Sequence, residues 1–245
     1  MELEKYEQMF PHVQVDGMMF YTPNTHVKWR IDTLYTKEPD TIIWLNDMKP
    51  GEVLYDVGAN IGQYSIYAAK RGVKVYAFEP EAQNFAILQK NIFLNKLTNC
   101  TAFPICLSDE IVINTLRLSG LIAGGSCHSF GADMDYHGNE KHFQHEQGSI
   151  AVPMDYFLAH TQAQPPDHIK IDVDGFEHLV LDGADDCIGF VKTILCEMDS
   201  KRKEHMDWMH LLCDKYGFHV DEKQIECARR KDGSFEGIGN IVFYR

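Results

Sequence analysis

The residues from Asp56 to Gly62 contain two glycines and two polar side chains, which is typical of a ligand-binding turn. They follow an apolar run and precede an amphipathic one, so the turn is expected between a strand and a helix. Ligands of open α/β sheets bind where such turns leave the carboxyl ends of strands. Gly58 permits a tight turn and close approach of a ligand to the backbone, and Gly62 permits close packing of the next helix. Unpaired N–H groups at the start of that helix favour a negatively charged ligand atom. The turn therefore predicts a nucleotide or nucleoside cradle.

A carboxylate, Glu79, ends the next apolar run, where it can accept both hydrogens of a ribose diol. Asn60 occupies the place at which dinucleotide-binding turns carry their second glycine, and its side chain would crowd a pyrophosphate. S-adenosylmethionine has a carboxylate, a ribose diol and a sulfonium cation but no phosphate. These residues therefore favour S-adenosylmethionine, with NAD and an oxidoreductase activity as the alternative.

Two further polar residues, Ser108 and Asp109, end the third apolar run of the same part of the chain. In a sheet of this order that point lies beside the adenine, so both are predicted to contact the base edge. Their alternative role is in a solvated turn.

Methyl transfer from a sulfonium to a hydroxyl needs an in-line arrangement, exclusion of water, and removal of the hydroxyl proton. Asp172 and Asp174 follow the fourth apolar run, and Glu197 and Asp199 end the fifth. Asp172 is the first candidate for the general base and Glu197 the second. Converging carboxylates are also typical of Mg²⁺ or Ca²⁺ sites, and helix capping is a third role open to them.

Two segments outside these runs supply further candidates. Residues 119–149 are rich in Gly and His without a clear period, which favours a lid or substrate loop with His128 facing the acceptor. Its four histidines lack the spacing of a firm zinc site, so no metal ligands are assigned there. In the N-terminal part, we expect Arg30, Glu38 and Thr41 to close over the carboxylate end of the cofactor.

The elements that must position these residues alternate between short apolar runs and amphipathic ones, which predicts a mostly parallel sheet covered by helices on both faces. No helix-sized gap is expected before the last strand, so the final pair is predicted as an antiparallel hairpin at one edge. Residues 1–50 are predicted as a strand and helix extension that covers the cofactor site, with its helix from about Pro39 to Asp47. Residues 51–245 are predicted as one catalytic domain. The expected strands are Val13–Phe20, Val53–Val57, Val73–Phe78, Thr101–Leu107, Ile169–Val173, Val191–Met198, Phe218–Val220 and Asn240–Tyr244.

Composition narrows the function classes. The 245 residues carry a net charge of −13, which disfavours a nucleic-acid partner. No run approaches the ~18–20 apolar residues of a membrane span. Seven cysteines, an odd number without CxxC spacing, indicate free thiols and a reducing cytoplasm.

The turn at 56–62, Phe78-Glu79-Pro80 and Leu107-Ser108-Asp109 occur together with the segment 169–177, Ile-Lys-Ile-Asp-Val-Asp-Gly-Phe-Glu. In these segments the chain resembles class I S-adenosylmethionine-dependent methyltransferases, and most closely the FkbM family. The resemblance implies a Rossmann-like seven-stranded sheet and methyl transfer to oxygen, often a sugar hydroxyl in a glycan or secondary metabolite.

Transferred by position, the resemblance assigns the cofactor-binding residues to parts of the cofactor. Gly58, Asn60 and Gly62 hold the methionine part, with Asp56 in the same turn, while Glu79 holds the ribose and Ser108 and Asp109 lie at the adenine side. The acceptor, the oligomeric state and any need for a divalent metal stay open. So do N-methylation and a cofactor-binding protein without turnover.

Overall fold

The computed structural model describes residues 11–245, so the first ten residues of the predicted extension lie outside it. The extension begins with an antiparallel hairpin of β1 (His12–Val15) and β2 (Met18–Tyr21) rather than the single predicted strand Val13–Phe20. Asp16 and Gly17 form its turn with φ of 47° and 76°. Left-handed angles at both positions are what a two-residue hairpin turn requires, and Asp-Gly is a preferred pair for it.

Two helices complete the extension. Asn24 precedes α1 (Thr25–Asp32), and its side chain accepts a hydrogen bond from the backbone N–H of Val27. Pro39 opens α2 (Pro39–Asn46), which confirms the helix predicted there, because proline suits a first helical turn.

The first βαβ unit follows the predicted order closely. It consists of β3 (Val53–Val57), α3 (Gln63–Lys70), β4 (Lys74–Phe78) and α4 (Ala82–Leu94). All five residues of β3 are buried, as expected of a parallel strand covered on both faces.

The strand predicted over Thr101–Leu107 is wrong, because the structure divides it between two sheets. The first piece, β5 (Cys100–Phe103), joins β4 in parallel, and the second, β6 (Cys106–Leu107), belongs to another sheet. Pro104 lies between them. Proline lacks a backbone N–H for the ladder, so the strand cannot continue through it.

The second sheet has four strands and corrects the interpretation of residues 119–149 as wholly irregular. Its long members, β7 (Val112–Leu118) and β9 (His145–Val152), pair antiparallel, and β8 (Ser129–Phe130) pairs with β7. β9 also pairs in parallel with β6, so the strand order is β6-β9-β7-β8. The first five residues of β9 thus lie inside the predicted loop.

The second half of the chain returns to the central sheet. Its elements are α5 (Met154–His160), β10 (His168–Ile171), α6 (Glu177–Asp182), α7 (Asp185–Ile188), β11 (Thr193–Asp199), α8 (Lys203–Asp214), β12 (His219–Val220), α9 (Glu222–Ala228) and β13 (Ile238–Tyr244).

The central sheet has seven strands in the order β12-β13-β11-β10-β3-β4-β5. All neighbours pair in parallel except β13, which is antiparallel to both β11 and β12. One apolar cluster joins α1 to α4 on one face, and a second joins α5 to α9 on the other. The predicted α/β fold, with both faces covered and an antiparallel edge, is confirmed.

One expectation about this edge is wrong. The chain between β12 and β13 contains α9, although no helix-sized gap was expected there. Asp221 caps α9 by accepting a hydrogen bond from the N–H of Lys223. The helix has seven residues, and Ile225 is its buried member. One short apolar contact leaves a helical period too weak to be recognised in a sequence.

Four aromatic side chains, those of Tyr55, Phe78, Phe103 and Phe157, pack together in the core between the sheet and α5. The ring of Phe157 lies 4.9 Å from Phe78 and 4.8 Å from Phe103, both at nearly perpendicular angles. It is also 6.1 Å from Tyr55. Edge-to-face packing of this kind adds to the free energy gained by burying the rings.

We expect Phe157→Ala to lower the free energy of unfolding by about 3–5 kcal/mol, because the cavity removes three ring contacts. Phe190→Ala is the matched control, since Phe190 is 66% exposed. The control should change stability by less than about 0.5 kcal/mol. Urea unfolding followed by circular dichroism measures both, and equal losses in the two variants would contradict this account of the core.

Candidate active site

The sheet carries a cavity of about 450 Å³ beside the carboxyl ends of β3, β4, β10 and β11. This is the edge at which α/β sheets bind ligands, and the volume lies in the range of small-molecule sites. Nine of the predicted site residues line it: Arg30, Gly58, Asn60, Glu79, Ser108, His128, Asp172, Asp174 and Glu197. Segments that are far apart in the sequence therefore meet in one place.

In the turn after β3, position 58 accommodates only glycine. Gly58 has a φ of +80°, and a Cβ built on it would lie 1.9 Å from the carbonyl oxygen of Asp172. Its N–H donates to the carbonyl of Phe78 at 3.0 Å. The backbone of β3 and the residue after β10 thus approach as closely as the chain permits.

Glu79 shapes the same turn from the end of β4. Its Oε2 accepts the backbone N–H of Asn60 at 2.7 Å, and its Oε1 accepts that of Glu81 at 2.9 Å. Burial raises the pKa of Glu79 to about 7, with a smaller contribution from the carboxylates of Glu81 and Asp174. A carboxylate oxygen has more than one lone pair, so Glu79 can still accept hydroxyl donors from a ligand.

A buried lysine lies beneath the turn. Lys170 Nζ is 3.1 Å from Asp172 Oδ2 and 3.7 Å from Asp56 Oδ1. Burial disfavours the charge on Lys170, but the carboxylates of Asp172 and Asp56 outweigh it and raise its pKa. Burial likewise opposes ionisation of Asp172, yet Lys170 outweighs it and holds the pKa of Asp172 below its usual range. Asp172 is therefore ionised and a weak base.

Two other carboxyl groups of the cavity have the opposite character. Partial burial and the neighbouring Asp172 raise the pKa of Asp174 to about 6. Burial, Asp172 and Glu177 raise the pKa of Glu197 well above its usual range, which favours its protonated form. Asp174 Oδ2 accepts the N–H of Cys127 at 2.6 Å, whereas no hydrogen bond to its Oδ1 is found within residues 11–245.

A segment of the 119–149 region, residues 122–128, lies over the turn, and we call it the cover. Asn60 Nδ2 and Asn84 Nδ2 both donate to the carbonyl of Gly125, at 2.7 and 3.0 Å. Asn84 Oδ1 accepts the N–H of Gly124 at 2.7 Å. The amide of Asn60, which stands where a dinucleotide turn has glycine, therefore bonds the cover.

His128, at the end of the cover, lines the cavity as a neutral imidazole. Burial and the cations Lys141 and Arg30 lower the pKa of His128 to about 4. Its Nδ1 accepts the N–H of Ser119 at 3.3 Å, so the proton is assigned to Nε2. That Nε2 is buried and has no hydrogen-bond partner within the described chain.

Five predicted cofactor residues do not line the cavity. Asp56 is buried below the turn, where Ser65 donates to it, and a Cβ on Gly62 would lie 2.2 Å from Leu88. Their positions indicate roles in packing the turn. The other three are Asp109, which is exposed and bonded by Ser108, Glu38, which accepts from Tyr64, and the fully buried Thr41.

Sequence reasoning missed two residues of the cavity that come from the C-terminal end. Arg230 Nη1 lies 3.3 Å from Glu197 Oε1, and its guanidinium is 5.1 Å from the ring of Phe235. The only available signal was a pair of arginines, 229 and 230, in an acidic chain. Their place in the site depends on the final antiparallel strand.

The predicted lid region is also fastened at its far side. His137 Nδ1 lies 2.7 Å from Asp199 Oδ2, and His137 Nε2 lies 2.8 Å from the carbonyl of Ser234. Both partners accept hydrogen bonds, and Asp199 and Ser234 together raise the pKa of His137 against partial burial. No cluster of three or more metal-ligating side chains occurs in residues 11–245.

The family model for the Methyltransferase FkbM domain matches residues 56–220, about two thirds of the chain. The chain belongs to the FkbM methyltransferase family. This membership confirms the predicted resemblance to the FkbM family of S-adenosylmethionine-dependent methyltransferases. The match begins at the glycine turn and ends in β12, so the family segment contains most of the cavity.

Three curated relatives differ in how much they share with this family member. 31-O-demethyl-FK506 methyltransferase FkbM of Streptomyces tacrolimicus is 47% identical over 47 residues, 18% of each chain. Hexuronic acid methyltransferase AglP of Haloferax volcanii is 25% identical over 174 residues, 69% of this chain and 65% of the relative. A tRNA (guanine(37)-N(1))-methyltransferase of Leishmania braziliensis is 33% identical over 85 residues, 35% of this chain. This chain spans less than two thirds of each relative's length, down to 12% for the tRNA enzyme.

A solved structure supports the fold. M. jannaschii TYW2 in complex with AdoMet superimposes with a TM-score of 0.52 at 16% identity, covering 96% of this chain and 86% of that one. In residues 11–245 of the FkbM-family chain, no helix is long and apolar enough to cross a membrane. The seven cysteines are free thiols, while the cytoplasmic location stays a prediction.

Gly58→Ala should weaken binding of S-adenosylhomocysteine and lower the melting temperature, because the new Cβ meets the carbonyl of Asp172. Gly51→Ala is the matched control, since Gly51 has a φ of +90° but nothing within 4 Å of a built Cβ. The control keeps the left-handed strain, about 1–3 kcal/mol, without the clash. Calorimetric titration and thermal melting separate the effects, and equal affinity in both variants would refute the close-contact explanation.

Proposed function

We propose that this protein transfers the methyl group of S-adenosylmethionine to a hydroxyl oxygen of a saccharide or another polyhydroxylated metabolite. The observation that carries the proposal is the convergence of the glycine turn, Glu79 and the carboxyl groups after β10 and β11 on one cavity. A cofactor cradle and proton-accepting groups in one enclosed space are what an O-methyltransferase needs.

The residues of the cavity fit the cofactor. The backbone of the 58–60 turn, which lacks a Cβ at Gly58, would hold the methionine part, and Glu79 would accept the ribose hydroxyls. Ser108, with Ile105 and Leu107 beside it in the cavity wall, would face the adenine. When bound, the cofactor supplies an electrophilic methyl group on a positively charged sulfur. The carboxyl groups of Asp172 and Asp174 favour a cation in the same cavity.

We infer that Asp174, whose side chain lines the cavity, acts as the general base. A general base works best when its pKa is close to the operating pH, and the pKa of Asp174 is raised to about 6. Lys170 keeps Asp172 ionised, so Asp172 contributes negative charge to the cavity. The raised pKa of Glu197 favours its protonated form, which can donate a hydrogen bond to the acceptor. Asp172, the first candidate from the sequence, is thus the weakest base among Asp172, Asp174 and Glu197.

The cover would exclude water from the reacting atoms. Asn60 and Asn84 hold it over the turn, and His128 presents an Nε2–H donor without a partner at the cavity. A buried donor that lacks a partner is costly, so a hydroxyl or carbonyl oxygen of an acceptor would be favoured beside it. A hydroxylated acceptor satisfies this donor and offers a proton to Asp174.

The names of the relatives support the substrate class. FkbM acts on 31-O-demethyl-FK506 and AglP on a hexuronic acid, according to their names, and both are hydroxylated compounds. The tRNA relative shares a shorter part of this chain, and a net charge of −13 opposes binding to a nucleic-acid backbone. Transfer to nitrogen, or to tRNA, is an outcome that the first experiment distinguishes.

Incubation of the full chain with methyl-labelled S-adenosylmethionine and a panel of acceptors tests the proposal. The panel contains glucuronate-bearing and neutral oligosaccharides, an amino sugar, a hydroxylated macrolide and transcribed tRNA. We expect label on an oxygen of a hydroxylated small molecule or saccharide, located by tandem mass spectrometry. Label confined to nitrogen or to tRNA would contradict the proposed reaction.

Asp174→Asn should lower kcat by about 10²–10⁴-fold, because the proton acceptor is lost, and leave S-adenosylhomocysteine affinity nearly unchanged. In the wild type, kcat/KM should fall as the pH drops below about 6, since Asp174 becomes protonated there. This limb of the pH profile should be absent in the variant. Asp214→Asn, at an exposed carboxylate on α8, is the control. An unchanged acidic limb in Asp174→Asn would assign the base elsewhere.

A further inference from the structure

A buried arginine from outside the matched family segment reaches the cavity. Arg30, on α1, is 8% exposed and lines the cavity. Its Nε donates to the carbonyl of Gly124 in the cover at 2.6 Å. Within residues 11–245, its terminal nitrogens have no hydrogen bond, and no carboxylate lies within ion-pair distance of the guanidinium, although the charges of Asp172 and Asp174 act on it from further away. An unpaired buried cation is energetically costly unless an anion joins it.

The other cations that line the cavity differ from Arg30 in this respect. Lys37 lies 2.5 Å from Glu38 Oε1, and Arg230 lies 3.3 Å from Glu197 Oε1. Lys37 thus has a carboxylate partner and Arg230 has a carboxyl oxygen that accepts its hydrogen bond, whereas Arg30 has only the carbonyl of the cover. The guanidinium presents a planar fork that matches a carboxylate through two parallel hydrogen bonds. Arg30 therefore has both the charge and the donor geometry for a ligand carboxylate.

The contact to Gly124 connects such a ligand to the cover. Nε is used by the cover, so a ligand would bind the terminal nitrogens of the same rigid group. A Cβ on Gly124 would lie 2.9 Å from Val27, so the cover and α1 are also in close contact. A ligand that fixes the guanidinium would thereby hold the cover closed.

We propose that Arg30 is an anion-binding residue that anchors a ligand carboxylate and couples its binding to closure of the cover. This inference rests on the proposed function, because the carboxylate belongs either to the methionine part of the cofactor or to an acidic acceptor. In both cases the extension forms part of the binding site. The site then extends beyond the 56–220 segment that defines the family.

Calorimetric titration of the full chain with two probes separates the sources of the carboxylate. S-adenosylhomocysteine carries the amino-acid carboxylate, and 5′-methylthioadenosine lacks it. Sodium glucuronate is the acceptor probe, titrated into protein saturated with S-adenosylhomocysteine, with glucose for comparison. The variants are Arg30→Gln, Arg30→Lys and the control Lys28→Gln, whose exposed side chain on the same helix pairs with Asp32.

If the carboxylate is that of the cofactor, Arg30→Gln should weaken S-adenosylhomocysteine by about ten- to hundredfold and leave methylthioadenosine unchanged. If it belongs to the acceptor, the loss should instead affect glucuronate and spare both nucleosides. Arg30→Lys keeps the charge without the fork and should recover part of the affinity. It also replaces Arg30→Gln should that variant fail to fold.

Wild-type affinities for all probes in both Arg30 variants would overturn the proposal. Hydrogen exchange of the 122–128 amides provides a second readout, because the bound carboxylate should slow their exchange in the wild type and in Lys28→Gln but not in Arg30→Gln. Slowing of equal size in all three would also overturn it. If the wild type binds neither nucleoside, the cofactor site itself fails, and the proposed function and this inference are refuted together.

Discussion

The arrangement of the whole site depends on one buried charge cluster between β3 and β10. Asp56 and Lys170 face each other across these strands, and Lys170 also reaches Asp172 at 3.1 Å. Removing either sign would leave an uncompensated charge in the core, which costs several kcal/mol. The cluster fixes the crease at which Gly58 contacts the backbone of Asp172. It also keeps Asp172 ionised, and the negative charge of Asp172 raises the pKa of Asp174 and of Glu197.

Around this crease, the same few polar groups connect the separate layers of the molecule. Glu79 bonds the turn to the end of β4, and Asn60 bonds the turn to the cover. Arg30 joins the N-terminal extension to the cover through Gly124. Each of these hydrogen bonds joins a side chain to a backbone group, so each fixes the position of a backbone segment at the cavity. The cavity is therefore a shared product of the extension, the sheet and the small second sheet.

Much of the fold was predictable because the central strands are short and apolar and the helices have a clear period. The failures occurred where one local feature interrupts a pattern. Pro104 ends β5 and transfers the chain to another sheet, although the apolar run continues through it. In β7, Leu116 and Leu118 alternate with exposed or partly exposed neighbours, a strand signal that the flanking polar stretch obscured. The short helix α9 has too few buried residues to show a period.

The sequence by itself determined the chemistry that is local in the chain: a glycine turn at the end of a strand, a carboxylate at the end of the next, and acidic residues after two later strands. These depend on residue type and order, which the sequence states directly. Only the tertiary structure decided which carboxylate is ionised, because that depends on burial and on neighbours such as Lys170 and Asp172. It also separated Gly58, which faces the cavity, from Asp56 and Gly62, which pack beneath it. Burial and through-space distance are properties of the folded chain, and residue spacing does not contain them.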